Sequence, residues 1–180
     1  MTLRSIDGGQ ARGAGPLREV GQASLQAVPA VPADPRPPQM PWLAVYLTVK
    51  DGEASLEFYR RAFGFLPGNL MRDDQGALMH AELHYKGEIP VMFTPETAPD
   101  CTTPSPATLG ITMPVFFHFY HEDVDALFAQ AKAAGAQVET EPTDMFWGER
   151  VAVVTCPNGY RWSFATYTGD LAGPPGGAAA

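Results

Sequence analysis

The sequence predicts an α+β fold built from two copies of one β-α-β-β-β module. In each half, a strand-like run that ends at an aspartate is followed by a helix-like run that ends near a glycine, and three further strand-like runs follow. The residues that mark these boundaries recur at an offset of 71 or 72 positions: Asp51 and Asp123, Gly64 and Gly135, Gly87 and Gly159. Because the three offsets agree to within one residue, a duplicated module explains them best. We expect the two modules to form one curved mixed sheet around a cavity.

The first module is expected over residues 42–96. Residues 43–49 are rich in β-forming side chains, and residues 53–63 place large apolar side chains at helical spacing before the glycine at position 64. Strands are then expected over 66–72, 78–85 and 89–94, because turn-forming residues separate these runs.

The second module is expected over residues 115–168, after a connector rich in proline and threonine over 97–114. It repeats the same order, with a strand over 115–120, a helix over 123–134 and three more strands. All 19 aromatic residues of the chain lie between Trp42 and Tyr167, which locates the hydrophobic core in the two modules. Residues 1–41 and 169–180 hold no aromatic side chain and are predicted to be a disordered or loosely attached arm and a flexible tail.

Charge and cysteine content narrow the function classes. The chain carries 12 Lys and Arg against 20 Asp and Glu, a formal net charge of −8, which disfavours nucleic acid as a partner. Its two cysteines lack the spacing of a zinc or redox motif. No apolar run reaches the length of a membrane span, and the first nine residues lack the apolar stretch of a secretion signal. We therefore expect a cytoplasmic protein without a membrane partner.

Several sequence motifs resemble the vicinal-oxygen-chelate superfamily of glyoxalases, bleomycin-resistance proteins and extradiol dioxygenases, and more narrowly its PhnB-like branch. The motifs are Tyr46-Leu-Thr-Val-Lys-Asp51, Ser55-Leu-Glu-Phe-Tyr-Arg-Arg-Ala-Phe-Gly64, Met79-His-Ala-Glu-Leu83, Glu122-Asp-Val-Asp-Ala-Leu127, Phe146-Trp-Gly-Glu-Arg150 and Cys156-Pro-Asn-Gly-Tyr-Arg-Trp162. They cover most of residues 42–167. The resemblance implies a ligand cavity and a homodimer. It leaves the function open, because the superfamily includes both enzymes and binding proteins.

The resemblance also implies where a divalent metal ion would be bound. In metal enzymes of this superfamily, ligands come from the first and last strand of each module. Those first-strand positions correspond to Ala44 and Phe116 here, which cannot bind a metal. The last-strand positions correspond to Val91 and Ser163, or to Met92 and Phe164 with a slip of one residue. We therefore expect no metal cofactor at these positions.

Alternation along the strands predicts which side chains line the cavity. Tyr46 and Thr48 point to the same side as Ala44, and His118 and Tyr120 to the same side as Phe116. His80, Glu82 and His84 also share one face of a strand. His80 and Glu82 are expected to supply polarity to the cavity, or alternatively to hold a relocated divalent ion together with His118.

The motif at 146–150 has two interpretations that the sequence leaves open. Trp147 could stack on a planar ligand while Arg150 anchors an anionic group. Alternatively, Trp147 could fill space between the sheet and a helix, and Arg150 could pair with an acidic neighbour. Phe93, Trp162 and Phe164 are expected in the core, and Cys156 is expected to be an unreactive thiol.

These observations favour a metal-free protein that binds a small, partly aromatic molecule. The predicted binding residues are Tyr46, Thr48, His80, Glu82, Phe116, His118, Tyr120, Trp147, Arg150 and Ser163. The alternative is a lyase, isomerase or dioxygenase that uses one divalent metal ion at a non-standard site.

Overall fold

The computed structural model describes residues 34–169, and the chain divides into two units after Pro35. The architecture below is that of the unit that begins at Arg36. Of the arm predicted over residues 1–41 and the tail predicted over 169–180, only residues 34–41 and Gly169 are among the described residues. In the part of the chain that the structure describes, no helix is both long and apolar enough to cross a membrane.

Two modules follow one another with the same order of elements, which confirms the α+β prediction. The first contains β1 (Val45–Val49), α1 (Gly52–Phe63), β2 (Leu66–Arg72), β3 (Leu78–Tyr85) and β4 (Glu88–Pro95). The second contains β5 (Phe116–Tyr120), α3 (Val124–Ala133), β6 (Gln137–Met145), β7 (Glu149–Thr155) and β8 (Arg161–Tyr167). The connector between them includes one short helix, α2 (Pro106–Leu109).

The two long helices begin in the same way, which explains the repeated aspartates. Asp51 accepts a hydrogen bond from the backbone N–H of Ala54 at 2.8 Å, and Asp123 accepts one from Ala126 at 2.9 Å. A side-chain acceptor at this position satisfies an N–H group that the first helical turn cannot pair internally. Helix α1 ends at Gly64, whose φ of 69° is the left-handed conformation that glycine adopts without strain.

The strands form two four-stranded mixed sheets, one in each module. Their orders are β1-β4-β3-β2 and β5-β8-β7-β6, and in each sheet the first pair is parallel and the others are antiparallel. The register places Tyr46 opposite Met92 in the first sheet and His118 opposite Ser163 in the second.

One hydrophobic core serves both modules. Tyr59 and Phe63 of α1 are fully buried, and their ring centroids lie 5.7 and 5.3 Å from that of Trp162 in β8. Phe93 and Phe164, from the two sheets, are also fully buried, so the three side chains expected in the core are confirmed there. Each sheet therefore turns one face to this core.

The other face of each sheet is not covered by the core. We call these surfaces open face 1, which carries Tyr46, Thr48, His80, Glu82 and Met92, and open face 2, which carries Phe116, His118, Tyr120, Glu149 and Ser163.

Polar contacts also join the modules. The Tyr160 hydroxyl accepts a hydrogen bond from the N–H of Thr48 at 3.0 Å and donates one to its carbonyl at 2.9 Å. The side chain of Asn158, which is buried, accepts from the N–H of Lys50 and donates to Ser55 Oγ. These contacts satisfy backbone groups on the outer edge of β1 that have no partner strand.

Candidate functional site

Open face 2 is organised around the Glu149 carboxylate. One of its oxygens accepts a hydrogen bond from the Tyr120 hydroxyl at 2.7 Å, and the other accepts one from the indole N–H of Trp147 at 2.8 Å. These two hydrogen bonds, and the nearby His118, lower the pKa of the Glu149 carboxyl. The carboxylate is therefore held in its ionised form between two aromatic side chains.

His118 and Ser163 form a second polar pair on the same face. Ser163 Oγ lies 3.0 Å from His118 Nδ1, because the two residues are paired in the register of β5 and β8. Ser163 is buried, whereas His118 is exposed and its ring lies edge-on to Tyr120 at 5.0 Å. The pair places two hydrogen-bonding side chains next to the Glu149 carboxylate.

Arg161 closes one side of open face 2. Its guanidinium contacts the Glu139 carboxylate at distances from 2.6 to 3.0 Å and lies 3.8 Å from the centroid of the Phe116 ring. The pKa of Glu139 is lowered, mainly by its hydrogen bonds to Arg161. The positive charge of Arg161 is therefore already neutralised within the fold.

Open face 1 contains a cavity of about 540 Å³ beside a hydrogen-bonded pair. The Tyr46 hydroxyl lies 2.8 Å from His80 Nδ1. Partial burial and the negative charge of Asp100 raise the pKa of Tyr46, so its phenol stays protonated near neutral pH. The cavity lining contains Tyr46, Met71, Met79, His80, Thr94, Pro99 and Asp100.

Eight of the ten predicted site residues lie on the open faces, but they divide into two groups. Open face 1 carries Tyr46, Thr48, His80 and Glu82, and open face 2 carries Phe116, His118, Tyr120 and Ser163. Among the residues described, no hydrogen bond or ring contact joins a member of one group to a member of the other. The chain therefore presents two separate surfaces.

The ninth predicted site residue, Trp147, lies in the turn between β6 and β7. It is 44% exposed and reaches open face 2 through its hydrogen bond to Glu149. It does not fill space between the sheet and a helix.

Arg150 lies on the opposite side of its strand from Glu149, so the prediction that it anchors an anionic ligand is corrected by the structure. Its guanidinium forms two hydrogen bonds to Asp125 of α3, at 2.7 and 2.8 Å, and one to Asp144 at 2.9 Å. Since α3 covers the core side of the sheet, these contacts direct Arg150 away from open face 2. The alternative interpretation, pairing with acidic neighbours, describes the observed contacts.

The positions that the family uses for a metal ion do not fit one here. Val91 is 2% exposed and lies in the core, so the open-face residue of β4 is Met92 rather than Val91. Together with Ala44, Phe116 and Ser163, Met92 offers no carboxylate, imidazole or thiolate, which are the usual protein ligands of a divalent transition metal ion.

The alternative metal site also lacks a complete ligand set. His80 Nε2 lies 3.9 Å from Glu82 Oε1 on open face 1, but His118 lies on open face 2. Within residues 34–169, no group of three or more His, Cys, Asp and Glu side chains is placed to hold a metal ion.

Sequence reasoning missed Glu149, although a signal for it was available. Glu149, Val151 and Val153 lie at every second position of β7 and therefore share one face of the strand. Val151 and Val153 pair with Ala165 and Ser163 of β8. The same alternation places Arg150 on the core side. Neither interpretation of the 146–150 motif includes Glu149, because the turn at 146–148 decides which face of β7 each residue occupies.

Cys156 matches the expectation of an unreactive thiol. It is 3% exposed, and burial raises the pKa of its thiol. Its Sγ lies 3.7 Å from the Tyr59 hydroxyl inside the core, away from both open faces.

This arrangement defines a class of proteins built from paired βαβββ modules. Residues 39–164 match the family model described as Glyoxalase/Bleomycin resistance protein/Dioxygenase superfamily. The chain belongs to this superfamily.

The chain is also similar to curated proteins of mycobacteria, which are described as uncharacterized. The chain is 38% identical over 125 residues to an uncharacterized protein of Mycobacterium tuberculosis strain H37Rv, covering 68% of this chain and 72% of the relative. A similar uncharacterized protein of Mycobacterium bovis is 38% identical over 125 residues, covering 68% of this chain and 81% of the relative.

Solved structures share the fold. TioX from Micromonospora sp. ML1 superposes with a TM-score of 0.56 at 26% identity, covering 69% of this chain and 97% of TioX. A mutant of the fosfomycin resistance protein FosX from Listeria monocytogenes, in complex with Mn(II) and 1S,2S-dihydroxypropylphosphonic acid, superposes with a TM-score of 0.54 at 15% identity. That match covers 72% of this chain and 91% of FosX, and at this identity it shows the fold alone.

Proposed function

We propose that this chain is a PhnB-like binding protein that holds a small, partly aromatic molecule against its open faces without a metal ion. The observation that carries the proposal is the composition of the positions where metal enzymes of the superfamily have their ligands. Here they are Ala44, Met92, Phe116 and Ser163. Apolar and aromatic groups with a few hydrogen-bonding groups are typical of a pocket that binds organic ligands.

The side chains around these positions support this function. Tyr46, Phe116 and Tyr120 are each about half exposed, at 57%, 46% and 53%, although they are large and partly apolar. The hydrogen-bonded pairs Tyr46–His80 and His118–Ser163 place polar groups beside them. A planar ligand could therefore stack on a ring and form directional hydrogen bonds in the same place.

In this proposal the cavity is completed by a second copy of the chain. The two open faces leave large aromatic side chains uncovered, including Tyr167 at 68% exposure, and exposed apolar surface of this kind favours association. A homodimer in the cytoplasm is consistent with the two cysteines, both of which are free. Sedimentation equilibrium should give twice the 19.4 kDa chain mass, and a monomer at micromolar concentration would contradict the dimer.

The charges on open face 2 bear on anionic ligands. An anionic group such as a phosphonate is bound best by cations that are free to neutralise it. On open face 2, Arg161 is occupied by Glu139. A phosphonate is therefore a poor match for the proposed site.

A fluorescent titration tests the proposed function. N-phenyl-1-naphthylamine, a neutral aromatic probe, should bind with a blue shift and an increase in emission. Replacing Phe116 by Ala should weaken binding by a factor between about 2 and 10, since one aromatic contact contributes about 0.5–1.5 kcal/mol. Leu109→Ala is the matched control, because Leu109 is 48% exposed but lies on α2 rather than on a strand of either sheet. Equal weakening by both substitutions, or no binding at all, would contradict the proposal.

Elemental analysis of protein purified without chelators separates this proposal from the metal-dependent alternative. One equivalent of Zn, Fe, Mn or Ni per chain, retained after dialysis, would favour a lyase, isomerase or dioxygenase. A substoichiometric metal content together with probe binding by the same sample supports the binding protein.

A further inference from the structure

The Glu149 carboxylate lies near the His118 imidazole, but the side chains that donate hydrogen bonds to it are uncharged. Among the described residues, no lysine or arginine forms an ion pair with this carboxylate, and its hydrogen bonds come from the neutral donors of Tyr120 and Trp147. Glu139, at the side of open face 2, is paired with Arg161. Glu149 and Glu139 therefore differ, because an arginine neutralises only the charge of Glu139.

The surroundings of Glu149 are aromatic. Tyr120 and Trp147 flank the carboxylate and are 53% and 44% exposed, and the ring of Phe146 lies 4.9 Å from that of Trp147. His118 lies edge-on to Tyr120. A carboxylate among aromatic rings provides the two interactions that an organic ammonium group uses, which are an ion pair and contact with the face of a ring.

If a ligand covers open face 2, it removes water from the Glu149 carboxylate, and the loss of this hydration costs free energy. A carboxylate that loses contact with water requires a compensating positive charge, since hydrogen bonds from neutral donors offset only part of the lost hydration. A ligand that brings a protonated amine would supply that charge. An anionic ligand would add a second negative charge to the same place.

The geometry points to an ammonium-binding site formed by Glu149, Tyr120 and Trp147, so that the ligand of this chain is an aromatic molecule with a protonated amine. This inference rests on the proposed function, since it names the chemical class of the molecule that open face 2 would bind. Glu149 pairs with the amine, and Tyr120 and Trp147 are positioning residues that hold the carboxylate and also flank the cation.

Three probes of nearly equal size test the inference on the full chain. They are 1-naphthylmethylamine, which is protonated at pH 7, neutral 1-naphthylmethanol and anionic 1-naphthoate. Isothermal titration in 0.15 M NaCl limits the general attraction of a chain with net charge −8 for cations. We expect the amine to bind about tenfold more tightly than the alcohol, and the carboxylate to bind least.

Variants then assign the preference to Glu149. Glu149→Gln keeps the size of the side chain and should bring the amine and the alcohol to similar affinities. Asp74→Asn removes an equal charge from the exposed turn between β2 and β3 and should retain the preference. Tyr120→Phe removes one hydrogen bond to the carboxylate but keeps the ring, and should reduce the preference only in part. It also serves as the test if Glu149→Gln does not fold.

The outcomes separate the inference from the proposed function. If wild-type protein binds the alcohol as tightly as the amine, the ammonium site is overturned while the aromatic binding function stands. If Glu149→Gln retains the full preference for the amine, the assignment to Glu149 is overturned. If none of the three probes binds, the proposed function fails and the inference fails with it.

Discussion

The Tyr46 hydroxyl meets the His80 imidazole across an intervening strand, with 2.8 Å between the oxygen and Nδ1. Tyr46 lies on β1 and His80 on β3, and β4 runs between these strands in the sheet. Nε2 of His80 lies 3.9 Å from the Glu82 carboxylate, which favours the imidazole tautomer with its proton on Nε2, and in that tautomer the phenol donates to Nδ1.

Replacing Tyr46 by Phe should therefore change the tautomer of His80. Wild-type protein at pH 8.5 should show His80 mainly as the Nε2–H tautomer, and the variant should show a mixture. Long-range proton–nitrogen NMR correlations of the imidazole rings distinguish the two forms. His121 is an internal control, because its Nδ1 contacts the backbone of Asp123 rather than Tyr46, so its spectrum should be the same in both proteins. An unchanged His80 spectrum in the variant would contradict the hydrogen bond.

The Tyr160 hydroxyl should stabilise the contact between the modules. In Tyr160→Phe the N–H and the carbonyl of Thr48 lose their shared partner, and two half-buried polar groups without partners should lower the free energy of unfolding by about 1–3 kcal/mol. Urea unfolding followed by circular dichroism measures the difference. Tyr167→Phe is the control, since Tyr167 is 68% exposed and should change stability little. Equal stability of the two variants would show that the contact contributes nothing.

The Glu149 carboxyl should titrate at a higher pH when Tyr120 is replaced by Phe. The hydrogen bond from Tyr120 is the largest cause of the lowered pKa, so its removal should move the pKa of Glu149 toward the ordinary value for glutamate. A carboxyl whose pKa is lowered by folding stabilises the fold above its unfolded pKa, and this contribution is lost as the pH falls through the lowered value. Carbon-13 NMR titration of the glutamate carboxyls measures the shift. A pKa of Glu149 that is equal in the two proteins would contradict the interaction.

Replacing Arg150 by Met and replacing Arg161 by Met should have different effects on the binding of the aromatic probe. Arg161→Met removes a cation from beside Phe116 on open face 2 and should change the affinity for N-phenyl-1-naphthylamine. Arg150→Met should leave that affinity unchanged, because Arg150 contacts Asp125 and Asp144 away from this face. The same substitution at Arg150 should raise the pKa of Asp125, since hydrogen bonds from the guanidinium lower it. A loss of probe binding in Arg150→Met would contradict the placement of this side chain.

Local sequence rules predicted much of this fold. The capping aspartates at 51 and 123, the glycine that ends α1 and the alternation of side chains along β1 and β5 depend only on neighbouring residues. They were sufficient to place Tyr46 and His118 on the faces that the structure leaves open. Val91 and Met92 show where such rules fail, because a shift of one residue in a strand exchanges its two faces and the turn before β4 decides the shift.

The sequence by itself determined two modules, with their helices and strands, and the faces of β1 and β5 on which Tyr46 and His118 lie. Only the tertiary structure decided that these residues occupy two surfaces, that Arg150 pairs with Asp125, and that Tyr120 and Trp147 converge on Glu149. The physical reason is the distance along the chain. Tyr120 and Glu149 are 29 residues apart, and Tyr160 reaches Thr48 across 112 residues. Such contacts depend on how the sheets and helices pack on one core. The periodic pattern of apolar residues within a single strand or helix does not specify that packing.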